Sequence, residues 1–293
     1  MEAKMDRTTI KGIRQNFSPL PLTGDDLKET GLYVDTIEAR TGSPYKSPIE
    51  DIFDDCTTTG SYNYIHLLLG HRGCGKSTEL NKLEIKFIEE GFAIRKIDCE
   101  AETNFAQIGV EDILILISNA LLDICKEKKI KINQDDIEKL NYFFVPKVRE
   151  IVAREESEIG IGGSIGFTLP LNIFSLSAKV KSQIMNTSEE MTTIRINIKN
   201  NFAEWNRCID NIIEKIKEND SQKYPIIIFE NFDKIVPVEN AIEIFGKGYL
   251  EKIRTYIIYT FPISLSYSEK FGTIEQYVTP HFFPMLDIYC IRL

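Results

Sequence analysis

A glycine-rich motif near residue 70 places the strongest constraint on how this chain can fold. Residues 70–77 read GHRGCGKS and satisfy the pattern G-x-x-x-x-G-K-[ST] in full. A nearly all-apolar run at 64–69 comes directly before the motif, and an amphipathic stretch at 77–90 follows it. The first run is typical of a strand that is buried on both faces, and the second is typical of a helix. The sequence therefore predicts a buried strand, a glycine-rich turn and a helix in immediate succession.

This arrangement favours a loop that binds phosphate. The glycines let successive backbone N–H groups turn inward around phosphate oxygens, and the helix that starts near Lys76 directs its positive end at them. Lys76, expected to lie in a solvent-facing loop, would neutralise the outer phosphates of a bound nucleotide, whose base the sequence does not specify, and the Ser77 hydroxyl could hold Mg²⁺. The residues expected to contact the nucleotide are Gly70, Arg72, Gly73, Cys74, Gly75, Lys76, Ser77 and Thr78. A glycine-rich turn without a ligand is the alternative.

A second apolar run could supply the carboxylate that such a loop requires on its Mg²⁺ side. Residues 226–229 are apolar and are followed by Glu230, where a buried strand would reach the carboxyl edge of a parallel sheet. We expect Glu230 to bind the metal and its water shell. Asp233 could act as the base if the loop curls back, since Asn231 can orient an attacking water but not deprotonate it. Solvated charges at a strand end are the alternative.

Other polar residues near the predicted strand ends give weaker signals. Thr260 either senses the terminal phosphate from the end of its strand or simply ends that strand. Tyr33 and Arg40 precede the first strand at a distance from which the chain could fold over an adenine, although an ordinary packing tyrosine is favoured. His66 is expected in the core. The candidate catalytic residues are thus Lys76, Glu230, Asp233 and Thr260.

Apolar runs separated by helical patterns predict a parallel α/β sheet with right-handed crossovers. The five predicted strands are residues 64–69, 93–99, 224–229, 256–261 and 287–291. Helices are expected at 110–126, 135–154 and 198–217. Residues 1–30 have the composition of an arm. Residues 158–181 alternate apolar and small residues around glycines, which is typical of a hairpin or a mobile apolar insertion.

The composition indicates a cytoplasmic protein. Acidic residues outnumber basic ones, 44 to 35, and the net charge of −9 argues against bulk binding to nucleic acid or membrane, although a local basic patch stays open. No run reaches the roughly 18 apolar residues that a membrane helix needs, and the first residues lack the apolar run of a signal peptide. The six cysteines show no CxxC or Cys/His pairing, so we expect reduced, mostly buried thiols and neither structural zinc nor disulfides.

These motifs resemble those of the P-loop ATPases of the AAA+ and STAND group, which includes origin-recognition-like, NACHT-like and KAP-like ATPases. The resemblance covers residues 30–293 and rests on GHRGCGKST at 70–78, a Walker A motif, on IIIFENFDKI at 226–235 and on YIIYTFP at 256–262. It implies a three-layer P-loop NTPase fold with a parallel five-stranded sheet in the order 5-1-4-3-2. The ATPase domain would span residues 31–293, with a helical and hairpin-like insertion at 128–195.

Three departures from that family bear on activity. Asn231 stands where ring-forming members commonly have a catalytic Glu. Residues 266–278, where those enzymes often carry an arginine finger, contain Lys270 but no Arg. The sequence ends directly after the fifth predicted strand, so the C-terminal lid domain is expected to be absent. We therefore expect slow hydrolysis.

The expected function is that of a Mg²⁺-dependent ATPase, a hydrolase that works as a slow conformational switch on a protein or nucleic-acid partner. In the resembled group, many bacterial members serve in signalling or defence. A nucleotide-dependent interaction module without useful turnover is the alternative, with residues 158–181 as its partner surface. A small-molecule kinase ranks last, because Lys76 and Glu230 are far apart in sequence and no Arg-rich lid follows the fourth strand. We expect ATP and a protein partner or a second copy of the chain as ligands, and no membrane. Nucleic acid stays open as a partner, although the net charge does not indicate it.

Overall fold

A sheet of five parallel strands forms the centre of the computed structural model, which describes residues 20–29, 33–43, 47–58, 64–144, 173–185 and 189–285. The strands are β1 (Ile65–Gly70), β2 (Ile94–Asp98), β3 (Ile226–Glu230), β4 (Tyr256–Pro262) and β5 (Thr279–Phe282). Their order across the sheet is β2-β3-β4-β1-β5, and every neighbouring pair is parallel. This confirms the expected order 5-1-4-3-2, read here from the opposite edge.

The fifth strand differs from the predicted one. β5 pairs with β1 at the edge of the sheet, whereas the strand predicted at 287–291 lies outside the described residues. The sequence pattern missed β5 because this strand has only 4 residues and contains Pro280. Proline lacks the N–H that a central strand needs, but an edge strand tolerates it.

Helices connect the strands and cover both faces of the sheet. In chain order they are α1 (Gly24–Glu29), α2 (Ile37–Thr41), α3 (Pro48–Thr57), α4 (Lys76–Glu89), α5 (Cys99–Glu102), α6 (Val110–Glu127), α7 (Gln134–Phe144), α8 (Ile173–Gln183), α9 (Glu189–Asn200), α10 (Phe202–Asn219) and α11 (Glu239–Phe245). Short 3₁₀ turns occur at Phe232–Lys234 after β3, at Leu250–Lys252 before β4, and at Ile263–Tyr267 and Phe271–Thr273 between β4 and β5.

Two apolar layers enclose the sheet, because alternate residues of each strand point to opposite faces. On one face, Leu68, Ile228 and Ile258 pack with α3 and α4, whose buried residues include Ile52 and Phe87. The other face carries the larger core, which contains Leu67, Ile227, Phe229, Ile257 and Tyr259 of the strands together with the apolar sides of α6 to α10. The three central strands, β1, β3 and β4, are therefore buried on both sides, as their apolar runs predict, whereas the edge strands β2 and β5 are only partly buried.

The hairpin that is one of the two structures expected at 158–181 is a wrong prediction for residues 173–181. Residues 158–172 lie outside the described residues, but residues 173–181 belong to helix α8. Ile173, Val180 and Ile184 are buried and recur at intervals of seven and four residues, which is a helical period. Packing of α8 against α6 and α7 therefore overrides the strand-like local composition.

Other predictions concern helix ends, cysteines and membrane spans. The helix expected at 198–217 is divided at Asn201 into α9 and α10. Of the helix expected at 135–154, residues 135–144 lie in α7, and residues 145–154 lie outside the described residues. The described cysteines, Cys56, Cys74, Cys99, Cys125 and Cys208, are buried and free, as predicted. None of the described helices is both long and apolar enough to cross a bilayer.

Candidate functional site

The glycine-rich loop, residues 70–77, connects the carboxyl end of β1 to the first turn of α4. Gly75 has a φ angle of +98°, a conformation that residues with a side chain rarely adopt. A Cβ atom on Gly70 would come within 2.9 Å of the carbonyl oxygen of Phe283, which follows β5. Gly75 is therefore needed for its left-handed φ angle, and Gly70 is needed because the Phe283 carbonyl leaves no room for a side chain.

Lys76, the first residue of α4, is held by three oxygen atoms. Its Nζ donates to the carbonyl oxygens of Gly70 at 2.8 Å and His71 at 3.0 Å, and it lies 3.0 Å from Oδ2 of Asp233. The loop faces solvent at residues 71–73, as expected, but the Lys76 side chain itself is only 6% exposed. Because Asp233 already contacts the ammonium group, an anion that enters the loop would compete with this carboxylate.

Asp233 reaches Lys76 because the chain turns back after β3. It lies in the 3₁₀ turn Phe232–Lys234, and its backbone N–H donates to Oγ1 of Thr260 at 3.4 Å. Thr260 is buried in β4, the strand between β3 and β1. Three of the predicted catalytic residues, Lys76, Asp233 and Thr260, thus form one connected group.

Glu230 ends β3 and has a different ionic partner. Its carboxylate lies 3.9 Å from Nζ of Lys96 on β2, and the same ammonium group pairs with Glu84 of α4 at 3.0 Å. Lys96 also donates to Oδ1 of Asn81 in α4. Glu230 therefore lies on the α4 side of the sheet, whereas the acid that contacts Lys76 is Asp233.

Asn231 follows Glu230 with a left-handed φ angle of +61°. Its Nδ2 donates to Oδ1 of Asp98 at 2.8 Å, at the end of β2. The same Asp98 oxygen caps α5 by accepting a hydrogen bond from the backbone N–H of Glu100 at 3.0 Å. Asn231 is therefore bonded to the neighbouring strand end, and its amide offers no group that could deprotonate water.

The remaining predicted contact residues differ in their accessibility. His71, Arg72 and Gly73 are exposed, Cys74 is buried, and Ser77 and Thr78 are half-buried. Oγ1 of Thr78 accepts a hydrogen bond from the backbone N–H of Leu22 at 3.3 Å, and Nδ2 of Asn81 donates to the Leu22 carbonyl oxygen at 2.6 Å. These contacts place the N-terminal segment 20–29 against α4, one helical turn from the loop.

Arg40 of α2 lies on the other side of the loop. Its guanidinium is 4.6 Å from the centre of the Phe283 ring, and Nη1 donates to the Pro284 carbonyl oxygen at 2.7 Å. A Cβ atom built on Gly75 would lie 3.7 Å from Nη2 of Arg40. From the sequence, Arg40 is expected only as a residue that could fold over an adenine, and no local pattern indicates that its charge lies beside a loop that begins thirty residues later in the chain.

Tyr33 contacts α4 through its hydroxyl and its ring. The hydroxyl donates to Oε1 of Glu79 at 3.0 Å, and Nζ of Lys82 lies 4.5 Å from the ring centre. Burial raises the pKa of Tyr33, and the charge of Glu79 raises it further. Burial also raises the pKa of the Glu79 carboxyl. These contacts hold the segment before β1 against α4 and favour a packing role for Tyr33.

Comparisons of the chain with models of protein families, with curated proteins and with solved structures found no match. The fold defines an α/β protein with a parallel five-stranded sheet and helices on both sides. A fold of this kind supports many functions, so the function has to be argued from the residues around the glycine-rich loop.

Proposed function

We propose that the chain is a P-loop ATPase of the AAA+ and STAND type that binds ATP and Mg²⁺ at the glycine-rich loop. The observation that carries this proposal is the meeting of Lys76 and Asp233 at the carboxyl end of β1. A glycine-rich turn, a helix N-terminus and a lysine in one place are typical of a polyphosphate site. The strand order also supports it, since β4 lies between β1 and the acid-bearing β3, as in the group that the sequence resembles.

ATP would bind with its phosphates against the backbone N–H groups of the loop. Lys76 would exchange its contact with Asp233 for a phosphate oxygen, and Arg40 would add a second positive charge near Gly75. Ser77 and Glu230 offer a hydroxyl and a carboxylate oxygen, and hard oxygen donors are the ligands that Mg²⁺ prefers. The bound ion would supply neutralisation of charge on the phosphates.

Hydrolysis is expected to be slow. Asn231 carries no basic group, and its amide is bonded to Asp98. Asp233 is the acid that contacts the loop, but its carboxylate is paired with Lys76. A phosphate on Lys76 would release Asp233, whose free carboxylate could then accept a proton from an attacking water.

Ion pairs connect this turn to a helix on the far face of the sheet. Lys234, next to Asp233, pairs with Glu100 of α5. Glu102, at the end of α5, lies 2.9 Å from Nζ of Lys181 in α8. Release of Asp233 would therefore displace α5 and α8 together with the 3₁₀ turn. We infer a slow cytoplasmic switch that acts on a protein partner or a second copy of the chain, and the net charge of −9 disfavours nucleic acid.

A nucleotide-dependent interaction module without turnover is the second candidate function. The observation that favours it is Asn231, which stands beside Glu230 and is already bonded to Asp98. In this case ATP binding alone would release Asp233 and shift α8. The partner would then respond to the binding of the nucleotide rather than to its hydrolysis.

Calorimetric titration of the full chain with ATP and GTP, with and without Mg²⁺, tests the proposed nucleotide site. Single-turnover release of phosphate from labelled ATP then separates the two candidates. We expect saturable ATP binding that Mg²⁺ strengthens, followed by slow phosphate release. Binding without release would favour the interaction module, and failure to bind either nucleotide would refute both candidates.

A further inference from the structure

Two histidines form a buried pair on neighbouring strands, away from the glycine-rich loop. His66 lies on β1 and His281 on β5, where His281 is paired with Leu68. Since residues two apart on a strand share a face, both imidazoles point to the face that α3 covers. They are two of only 3 histidines in the chain, and their side chains are 0% and 5% exposed.

A carboxylate from α3 completes the group. Nδ1 of His66 lies 3.1 Å from Nε2 of His281, and Oδ2 of Asp55 lies 3.8 Å and 3.9 Å from these two nitrogens. The three atoms thus form a small triangle. Tetrahedral zinc with bonds of about 2.0–2.1 Å holds its ligand atoms roughly 3.4 Å apart, which is within about 0.5 Å of each side of this triangle.

We propose that Asp55, His66 and His281 bind a divalent transition metal ion, with Zn²⁺ as the expected ion. Two imidazole nitrogens and one carboxylate oxygen are a ligand set that zinc commonly accepts, with water in the fourth position. Asp55 is 42% exposed, so water reaches the triangle from its side. The two histidines close the site on the protein side.

The surroundings keep the ligand atoms available to a metal ion. Nε2 of His66 lies 3.8 Å from Sγ of Cys56. A proton on Nε2, directed at this sulfur, leaves Nδ1 free for the metal, which is the usual role of a second contact to a ligating histidine.

A metal ion at this place would join three segments that are distant in sequence. It would tie α3 and β1 to β5, the short edge strand. The residues after β5 form one wall of the glycine-rich loop, since the Phe283 carbonyl closely approaches Gly70. The ion would therefore stabilise the segment after β5 that borders the loop. The proposed metal site itself does not depend on nucleotide binding.

Calorimetry with ZnCl₂ on the full chain, stripped of metal with a chelator, tests the proposal. We expect one Zn²⁺ per chain, and His281→Asn and Asp55→Asn should each weaken binding by more than about 100-fold, since even outer contacts to a ligand cost about 10–100-fold. Asp54→Asn, an exposed position on the same helix, and His71→Asn, the third histidine, are the matched controls and should bind zinc like the parent.

A second measurement avoids reliance on variants that fail to fold. Co²⁺ added to the unmodified chain should give the visible bands of a four-coordinate ion without a thiolate charge-transfer band, since Cys56 is not among the ligands. A thiolate band would overturn the proposed ligand set. Absence of zinc binding by the parent, or undiminished binding by His281→Asn, would show that the two rings are only a hydrogen-bonded pair.

Discussion

Oδ2 of Asp233 lies 3.0 Å from Nζ of Lys76, and this contact joins the turn after β3 to the first residue of α4. The two side chains are 11% and 6% exposed, so solvent and salt screen the pair little. Removal of one partner would leave the other charge buried without compensation. The same contact therefore affects both the stability of the turn and the availability of Lys76 to a phosphate.

Replacement of Lys76 by methionine should weaken ATP binding while it keeps the length of the side chain. The substitution removes a charged hydrogen-bond donor worth about 1.5–3 kcal/mol, which corresponds to roughly 10- to 150-fold in Kd. Calorimetric titration with ATP measures the loss. An unchanged Kd would contradict the phosphate-binding role of the loop.

Stability is the control for this variant, because Lys76→Met leaves Asp233 without its partner. We expect Lys76→Met to lower the Tm and the double variant Lys76→Met/Asp233→Asn to recover part of the loss, since no lone charge remains. ATP binding should stay weak in both variants. Recovery of binding in the double variant would mean that the single substitution acted by unfolding the loop.

Asp233→Asn and Glu230→Gln should have different effects on ATP binding and hydrolysis. Asp233→Asn removes a negative charge beside Lys76, so ATP should bind more tightly while single-turnover hydrolysis falls by about 10²-fold or more, as for the loss of a general base.

Glu230→Gln should preserve ATP binding without Mg²⁺ but lose most of the affinity that Mg²⁺ adds and part of the hydrolysis. Titrations with and without Mg²⁺ and phosphate release measure both effects.

The exposed Glu239→Gln at the start of α11 is the matched control for both acids and should behave like the parent. If Asp233→Asn leaves hydrolysis intact and Glu230→Gln abolishes it, Asp233 is only an ionic partner of Lys76. If neither substitution changes turnover, the acid that acts in hydrolysis lies elsewhere in the chain.

A largely buried ion pair joins helix α9 to helix α6. Nε of Arg195 in α9 lies 2.8 Å from Oδ1 of Asp112 in α6, and Asp112 is 1% exposed. Arg195→Met should lower the free energy of unfolding by about 3–5 kcal/mol, because it leaves a buried carboxylate without its partner. Chemical denaturation measures the change, and Arg195→Lys, which keeps the charge, should cost less.

The loss in Arg195→Met should shrink as the pH falls from about 8 to about 5. Burial raises the pKa of Asp112, and removal of the arginine charge would raise this pKa further. A carboxyl whose pKa is higher in the folded state binds its proton more readily when folded, so its contribution to stability decreases as pH rises through the folded pKa. A difference between parent and variant that is independent of pH would contradict this reasoning.

The sequence predicts well those parts of the structure whose causes are local. β1, the glycine-rich loop and α4 lie where residues 64–90 predict them, because an apolar run, glycines and a helical period follow one another directly. β3 and β4 are continuous apolar runs that the sequence also reveals. β5 escapes prediction, since an edge strand with Pro280 needs neither length nor a continuous apolar run.

Contacts between distant segments could not be predicted from one sequence. The sequence indicates that Asp233 could reach the site if the loop after β3 curls back, but it does not show that a 3₁₀ turn places this carboxylate on Lys76. His66 and His281 are likewise separated by most of the chain, so no metal-ligand spacing is visible. Such pairs depend on the order of the strands and on their register. The sequence indicates the strand order only through its resemblance to a family, and it does not indicate the register.

Lys181 offers a test of whether the glycine-rich loop communicates with α8. Its ion pair with Glu102 is partly exposed, with side-chain exposures of 32% and 21%, so Lys181→Gln should cost no more than about 1 kcal/mol in stability. In the parent we expect ATP to change amide hydrogen exchange in residues 173–183, if release of Asp233 moves α5 as proposed. In Lys181→Gln this response should disappear while the Kd for ATP stays unchanged. Lys179→Gln, at an exposed position of the same helix, should respond like the parent, and an equal response in all three proteins would exclude transmission through this ion pair.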